Sequence, residues 1–137
     1  MTAAEAVLSF EIPANDEYRQ LRTAAGLSAI SPASASKGLP NSWCAVCLRS
    51  DGELVGMGRV VGDGGCFFLV VDIAVLPQWQ GQGLGKRVMG ALVEHLRIHA
   101  PAGAMVGLFA DGEAYRLYQQ FGFSLVAPAA RGMLLRL

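Results

Sequence analysis

In CFFLVVDIAVLPQWQGQGLGKRV, residues 66–88, an apolar strand is joined to a helix through a glycine-rich turn, which is the strongest indication of the fold. The first part of this stretch, Cys66–Leu76, is apolar on both faces apart from Asp72, which predicts a central strand covered by helices. From Leu84 to about His99, apolar residues recur with the spacing of a helix that buries one side. Glycines at positions 81, 83 and 85, before the helix and in its first turn, permit a tight turn.

The turn Gln80–Lys86 predicts a binding site for an anion. Its glycines let main-chain N–H groups point outward, and the helix that follows adds unpaired N–H groups and the positive end of its dipole. These groups suit a phosphate or a pyrophosphate. A P-loop is excluded because Lys86 is followed by Arg87 rather than Ser or Thr. The dinucleotide pattern G-x-G-x-x-G is excluded because its last position holds Lys86 or Val88.

The elements around this turn predict one domain that spans residues 1–137. Strands are predicted at Val7–Ile12, Ser42–Arg49, Glu53–Val61, Cys66–Leu76, Ala104–Phe109, Phe123–Val126 and Gly132–Leu137. Helices are predicted at Asn15–Ala25, Pro32–Lys37, Leu84–His99 and Asp111–Gln120. A strand–helix–strand crossover pairs its two strands in parallel, so Ala104–Phe109 should lie beside the apolar strand. We expect an α/β (α+β) fold, with a mixed, mostly antiparallel sheet of about six to seven strands and about four helices.

Composition and charge exclude several classes of partner. Lys plus Arg equals Asp plus Glu, 11 against 11, so no net field attracts nucleic acid or an anionic membrane. Residues 1–10 lack the pattern of a signal peptide, and no apolar stretch reaches membrane-spanning length. A cytoplasmic protein with reduced thiols is therefore expected.

No metal site is expected from the histidines and cysteines. Cys44 and Cys47 stand three apart on a predicted strand and point to opposite faces, so they should share neither a metal nor a disulfide. His95 and His99 are four apart on a helix, but no carboxylate completes a metal-binding motif around them.

Three motifs together resemble the GNAT family of N-acetyltransferases. The spacing of Gln80, Gly83 and Gly85 matches the family signature Q/R-x-x-G-x-G/A. Asp72–Pro77 is similar to the strand before that signature, and Ala114–Phe123 to the late helix and the Gly-Phe pair after it. The resemblance covers roughly residues 46–137. It implies the GNAT fold with splayed parallel central strands, and acetyl-coenzyme A (acetyl-CoA) as the acetyl donor without a metal.

The resemblance also implies which residues bind the cofactor. The main chain of the strand that ends in the turn would bind the pantetheine arm. The turn would hold the pyrophosphate, chiefly through main-chain N–H groups. The residues assigned to the cofactor are Ile73, Ala74, Val75, Gln80, Gly81, Gln82, Gly83, Leu84, Gly85, Lys86 and Tyr118.

Tyr118 is the first candidate catalytic residue. It matches the family's tyrosine in the pattern L-Y-x-x-x-G-F that ends at Phe123. A phenol, with an ordinary pKa of about 10, is protonated at neutral pH and can donate to the coenzyme A sulfur. The alternative is an aromatic side chain that only packs on the sheet.

Asp72 is the second candidate catalytic residue. A lone carboxylate in an apolar strand is costly to bury without a partner. Burial would favour its neutral form and hence a role as base, whereas an ionised carboxylate would pair with a substrate ammonium group. The alternative is a structural carboxylate bonded to a loop or a helix N-terminus. A main-chain N–H near Ile73 or Ala74 is the expected donor to the oxyanion.

These features favour an enzyme that moves the acetyl group directly from acetyl-CoA to a primary amine of a small molecule. Asp72 makes a cationic amine the more attractive acceptor. A CoA-binding sensor or inactive relative, and a protein lysine or N-terminal acetyltransferase, are the alternatives. The apolar run Met133–Leu135 is consistent with a homodimer.

Overall fold

Five strands form one mixed sheet, with helices on both of its faces. The computed structural model describes residue 2 and residues 5–137. The strands are β1 Val7–Phe10, β2 Cys44–Ser50, β3 Glu53–Gly62, β4 Phe67–Val75 and β5 Met105–Gly107. The helices are α1 Asn15–Ala24, α2 Pro32–Gly38, α3 Leu84–His99 and α4 Tyr115–Gln119, with 3-10 turns at Leu39–Asn41 and Pro77–Trp79.

The strands lie in the order of the sequence, and only the last pair is parallel. β1 to β4 form an antiparallel meander, and the crossover through α3 places β5 parallel to β4, as predicted. The β4–β5 pairing extends only from Phe67 to Leu69 on β4. β5 ends at Gly107, the partner of Leu69, and the chain after it does not pair with β4. We call this gap, between β4 residues 70–75 and the chain after β5, the splay.

Two apolar clusters cover the two faces of the sheet. On the first, which we call the α3 face, α3 buries the stripe Leu84, Val88, Met89, Leu92, Val93 and Leu96. On the second, the α1 face, Tyr18 and Leu21 of α1 and Ala35 of α2 pack on Met57 and Ala74. The amphipathic periodicity of α3 and α1 thus places both faces of the central strands out of water.

A β-bulge interrupts β4 at the residue that the sequence singles out. The register shifts between Met57 and Arg59, so that Asp72 and Ile73 of β4 together oppose Gly58 of β3. Asp72 has φ of 61°, a left-handed conformation that is uncommon for a residue with a side chain. The bulge therefore sits at the start of the splay.

The bulge moves the following side chains of β4 to the other face. Before it, Phe68 and Val70 pack in the cluster of the α3 face. After it, Ala74 packs in the cluster of the α1 face, and Asp72 bonds to side chains of α1. A one-residue slip reverses the faces of a strand, which is why Asp72 faces α1 rather than α3.

Gly58 allows α3 to pack closely against the bulge. A Cβ at this position would lie 2.6 Å from Ile73 Cδ1 and 2.6 Å from Val88 Cγ1. We expect Gly58→Ala to lower the free energy of unfolding by about 1–3 kcal/mol, measured by urea denaturation. Gly38, where a Cβ would meet nothing within 4 Å, provides the control. Equal effects of Gly58→Ala and Gly38→Ala would refute packing at the bulge as the cause.

The two C-terminal strands that the sequence predicts are not formed, so the described residues form a sheet of five strands rather than six to seven. Neither Phe123–Val126 nor Gly132–Leu137 is paired in the described part of the chain. Apolar residues that suit a strand become one only when a neighbouring edge supplies main-chain partners. The side chains of Met133–Leu135 are exposed.

The predicted helix Asp111–Gln120 is shorter than expected. It begins at Tyr115, because Gly112 has φ of 54° and Ala114 donates its N–H to Asp111 O in a tight turn. The remaining helices lie close to their predicted bounds, and those of α3 agree at both ends.

The cysteines lie as the strand alternation predicts. Cys44 packs against the α3-face cluster and Cys47 is buried in the α1-face cluster. Burial raises the pKa of Cys44 to about 11 and that of Cys47 to about 12. Both thiols are thus protonated and unreactive at neutral pH. Among the residues described, no helix is long and apolar enough to cross a membrane.

Candidate active site

The turn between β4 and α3 presents main-chain N–H groups in open space. Gly81 and Gly83 have φ of 80° and 79°, and a Cβ on either would meet nothing within 4 Å. The first bond of α3 runs from the N–H of Arg87 to Gly83 O, at 3.1 Å. The N–H groups of the first three helical residues precede that bond and have no intrahelical acceptor. With the helix dipole and the exposed side chain of Lys86, they suit a pyrophosphate.

Gln80 fastens the turn to the end of β4. Its side-chain Nε2 donates to Val75 O at 2.9 Å, and its main-chain N–H donates to Pro77 O at 3.2 Å. Both nitrogens thus already donate a hydrogen bond within the protein. A direct contact between Gln80 and a pyrophosphate stays a prediction, and the geometry favours a supporting role.

The end of β4 directs alternate main-chain groups into the splay. The N–H of Leu76 donates to Val55 O of β3, at 2.9 Å. Main-chain groups alternate in direction along a strand, so Ala74 also faces β3, whereas Ile73 and Val75 face the splay. The predicted contacts of Ile73 and Val75 with a pantetheine arm fit this geometry. That of Ala74 does not.

Tyr118 lies at the same edge of the sheet as the turn. β4 and β5 are parallel; the turn follows β4, and α4 follows β5. The turn and α4 therefore both lie beyond the carboxyl ends of these strands. The phenol is half-buried against the α3-face cluster, with its ring centroid 6.5 Å from that of Phe123. Burial, and then the charge of Asp111, raises the pKa of Tyr118 above its ordinary value. The hydroxyl therefore keeps its proton at neutral pH.

Asp72 is not a lone carboxylate. Its Oδ1 accepts a hydrogen bond from Arg22 Nη1 at 2.5 Å. Its Oδ2 accepts from Arg59 Nε at 2.7 Å and from the Tyr18 hydroxyl at 3.0 Å. Burial, and then the charge of Asp72, raises the pKa of Tyr18, so the phenol remains a neutral donor. We call these four residues the Asp72 cluster.

These contacts bear on the role predicted for Asp72. Two guanidinium groups form ion pairs with it, and both of its oxygens accept hydrogen bonds from protein donors. A base needs an oxygen directed at the amine, and an ammonium anchor needs unbalanced negative charge. The geometry therefore favours a positioning role for Asp72, and a role as base or as amine anchor stays a prediction.

Sequence reasoning missed the two arginines. Tyr18 and Arg22 are four apart on α1 and so share a face. Because an isolated buried carboxylate needs partners, this spacing could have predicted that both residues contact Asp72. Arg59 had no comparable signal, because its distance from Asp72 depends on the register at the bulge. The structure also places Asp72 and Tyr118 on opposite faces of the sheet.

Comparison with known proteins identifies the family. The Acetyltransferase (GNAT) domain matches residues 41–125. A probable acetyltransferase of unknown function from meticillin-resistant Staphylococcus aureus has a crystal structure with TM-score 0.92 and 39% identity, covering 96% of this chain and 99% of that one. A GNAT family N-acetyltransferase from Escherichia coli, in complex with CoA, shares the fold at TM-score 0.66 and 22% identity, covering 90% of this chain and 71% of that one.

A curated relative has a named acceptor. Serotonin N-acetyltransferase 2, chloroplastic, from Oryza sativa subsp. japonica is 37% identical over 84 residues, which are 61% of this chain and 41% of the rice protein. The chain spans less than half the length of the first curated relatives that it matches. The matching domain and the full-length similarity to the S. aureus protein nevertheless agree with the geometry of the turn and the splay. The chain belongs to the GNAT family of acetyltransferases.

Proposed function

We propose that the chain transfers an acetyl group directly from acetyl-CoA to the primary amine of a small molecule, with Tyr118 as the general acid. The observation that carries the proposal is the glycine turn at the N-terminus of α3, next to a strand whose main chain faces the splay. Family membership supports the same reaction, and the E. coli relative of the same fold is a complex with CoA.

The turn and the splay fit acetyl-CoA at two points. A pyrophosphate would approach the main chain at Gly81 and Gly83, where no side chain intervenes. The amide groups of the pantetheine arm would pair with main-chain groups of Ile73 and with the N–H of Val75, which β5 leaves free of strand pairing. The carbonyl oxygen of Val75 already accepts a hydrogen bond from Gln80 Nε2. When bound, acetyl-CoA supplies the acetyl group as a thioester. The acceptor's ammonium group first loses a proton to solvent, and the free amine nitrogen then bonds to the carbonyl carbon. The C–S bond breaks, the nitrogen loses a second proton to solvent, and the sulfur gains one.

The protein's own groups have two tasks in this reaction. Tyr118 holds a proton on its phenol oxygen and donates it to the departing sulfur. The N–H of Ile73, at the bulge and facing the splay, is the candidate donor to the negative charge that develops on the acetyl oxygen. Asp72 has an indirect, positioning role, since it holds Arg22 and Arg59 in place.

The proposal is tested with purified protein, acetyl-CoA and a panel of small primary amines and lysine-containing peptides. Acetylated products are detected by mass, because the exposed thiol of Cys66 would react with thiol reagents. Turnover of small amines above the peptides is the expected result. CoA binding with no turnover of any acceptor would indicate a binding module, and a preference for peptides would indicate a protein acetyltransferase.

Gly83→Ala is expected to weaken CoA binding about tenfold, measured as Kd by calorimetry. The added Cβ would enter the open space above the turn, and the left-handed conformation at position 83 costs a residue with a side chain about 1–2 kcal/mol. Gly103 has φ of 85° and equally open surroundings, away from the turn, so Gly103→Ala carries the same backbone cost. Both variants should lower Tm, but only Gly83→Ala should change Kd. A change of less than about twofold in Kd would remove the turn from the binding site.

Three other expectations stay predictions. They are the extent of one domain over residues 1–137, a cytoplasmic location, and a homodimer formed with the help of Met133–Leu135. Sedimentation of the purified protein would test the homodimer directly.

A further inference from the structure

We propose that Arg22 and Arg59 form a subsite for a carboxylate on the acceptor, so that the acceptor is an amine that also carries a carboxylate group. The inference rests on the proposed function for the reaction itself. The subsite rests on the contacts of the Asp72 cluster alone. It replaces the cationic amine that the sequence favours with a zwitterionic or acidic acceptor.

The charge of the cluster is the first argument. Two guanidinium groups face one carboxylate, and the Tyr18 hydroxyl is neutral, so among the described residues one positive charge is left unbalanced. Glu17, the acid that precedes Tyr18 on α1, is already paired with Arg49 at 2.7 Å. Both cluster arginine side chains are only 12% exposed, so water compensates that charge poorly. An anionic group would complete the cluster.

Arg59 supplies free hydrogen-bond donors in a fixed plane. Its Nε donates to Asp72 and its Nη1 to Ser42 Oγ at 2.9 Å. The guanidinium lies 5.5 Å from the centroid of the Tyr18 ring, which fixes its orientation. In the described part of the chain, no bond engages Nη2. A guanidinium has five N–H groups, so the outer edge of Arg59 retains the planar fork that matches a carboxylate.

Arg22 is held from the other side by the connection between α1 and α2. Its Nε and Nη2 donate to Ser28 O at 3.0 and 2.8 Å, and its Nη2 also donates to Ser28 Oγ. Its Nη1 donates one hydrogen to Asp72 and has a second. The two arginines are thus fixed on opposite oxygens of one carboxylate before any acceptor binds, which lowers the entropic cost of binding.

The cluster is also placed correctly for an acceptor. Asp72 is three residues beyond Leu69, the last residue of β4 paired with β5, which is about 10 Å along the strand. The next residue, Ile73, directs its main chain into the splay, where the acetyl group is expected. An acceptor held on the α1 face by its carboxylate would therefore bring its amine to the start of the splay.

The test uses matched acceptors that differ only in the carboxylate. The standard amino acids, β-alanine and 4-aminobutyrate are each compared with their carboxamides in the acetyl-transfer assay. For the best pair, we expect kcat/KM to be about tenfold or more higher for the acid than for the amide, because the acid has the lower KM. Arg59→Gln should reduce that ratio to below about threefold and leave the Kd for CoA unchanged. Arg59→Lys keeps the positive charge but loses the planar pair of N–H donors, and should retain part of the preference for the acid over the amide.

Arg49→Gln is the matched control. Arg49 is also a half-buried arginine of the α1 face, paired with Glu11 and Glu17 but not with Asp72. It should leave the acid-to-amide ratio unchanged even if it lowers Tm. If the parent protein acetylated the amides and the acids with equal kcat/KM, the subsite would be refuted but the proposed function would not. A raised Kd for CoA in Arg59→Gln would overturn it too, because the arginine would then hold a phosphate of the cofactor.

A binding measurement separates the subsite from the reaction. A pool of the same amino acids should raise the Tm of the parent protein, the pool of their amides should not, and Arg59→Lys should reduce the rise. Acid-specific stabilisation without turnover of any amine would support the subsite and refute the proposed function. No difference between the two pools, together with equal turnover of acids and amides, would refute the subsite alone.

Discussion

The Tyr118→Phe protein should turn over at least about a hundredfold more slowly than its parent, with a Kd for CoA within about twofold of the parent value. The substitution removes only the phenol oxygen, so the ring keeps its packing against the α3-face cluster and Phe123. A general acid acts in the reaction and contributes little to ground-state binding. Initial rates at saturating acetyl-CoA and calorimetry with CoA measure the two quantities.

Tyr115 provides the matched control for Tyr118. It lies one turn earlier on α4 and is also partly buried, but its spacing to the Gly-Phe pair does not match the family pattern. Tyr115→Phe should therefore keep kcat within about twofold. If Tyr118→Phe raised the Kd for CoA as much as it lowered kcat, Tyr118 would be a binding residue and its role as acid would be wrong.

The pH dependence adds a second check on Tyr118. The acid is active while protonated, and burial raises the pKa of Tyr118 above the ordinary value of about 10. Its contribution to kcat should therefore be complete at neutral pH and be lost only as the pH rises through that raised pKa. A loss of activity centred near pH 8 that disappears in Tyr118→Phe would contradict this assignment.

Asp72→Asn should lower the free energy of unfolding by about 2–4 kcal/mol, measured by urea denaturation. The side chain of Asp72 is only 3% exposed and both guanidinium groups beside it are largely buried. Asparagine has nearly the same shape, so packing changes little, but it removes the one negative charge. Two buried positive charges then face each other without compensation.

Glu113→Gln is the control with the same chemical change. Glu113 pairs with Arg116 at 2.6 Å, but their side chains are 74% and 71% exposed. An exposed pair contributes at most about 1 kcal/mol, so Glu113→Gln should be nearly neutral. A cost for Asp72→Asn no larger than that of Glu113→Gln would show that the cluster does not stabilise the fold.

Kinetics of the same variant distinguish the roles of Asp72. A positioning residue that holds the arginines should raise KM for acceptors with a carboxylate and spare their amides. A catalytic base should instead lower kcat for every acceptor, whatever its second group. An amine anchor should affect cationic acceptors most. Measuring kcat and KM separately for an acid, its amide and a diamine therefore decides between the three.

Features encoded by neighbouring residues were predictable. The bounds of α3, Leu84–His99, agree with the prediction because the apolar stripe, the glycines before it and Pro101 after it all act locally. The antiparallel meander and the parallel crossover also followed from turn residues and chain direction. Features that depend on a distant partner were less predictable: Phe123–Val126 has strand-forming residues but no edge to pair with.

The turn at Gln80–Gly85 could be predicted from its own residues, since the left-handed conformation of Gly81 and Gly83 and the start of α3 depend on residues within a few positions. These residues therefore also indicate where a pyrophosphate is expected. The surroundings of Asp72, by contrast, depend on contacts that form only when the chain folds. A one-residue bulge turns this carboxylate toward α1, where its partners Tyr18 and Arg22 lie 54 and 50 positions away in the chain. Burial and charge pairing depend on such distant contacts. In the sequence Asp72 is a lone acid that suits a cationic amine, whereas in the structure it is one part of a positively charged cluster.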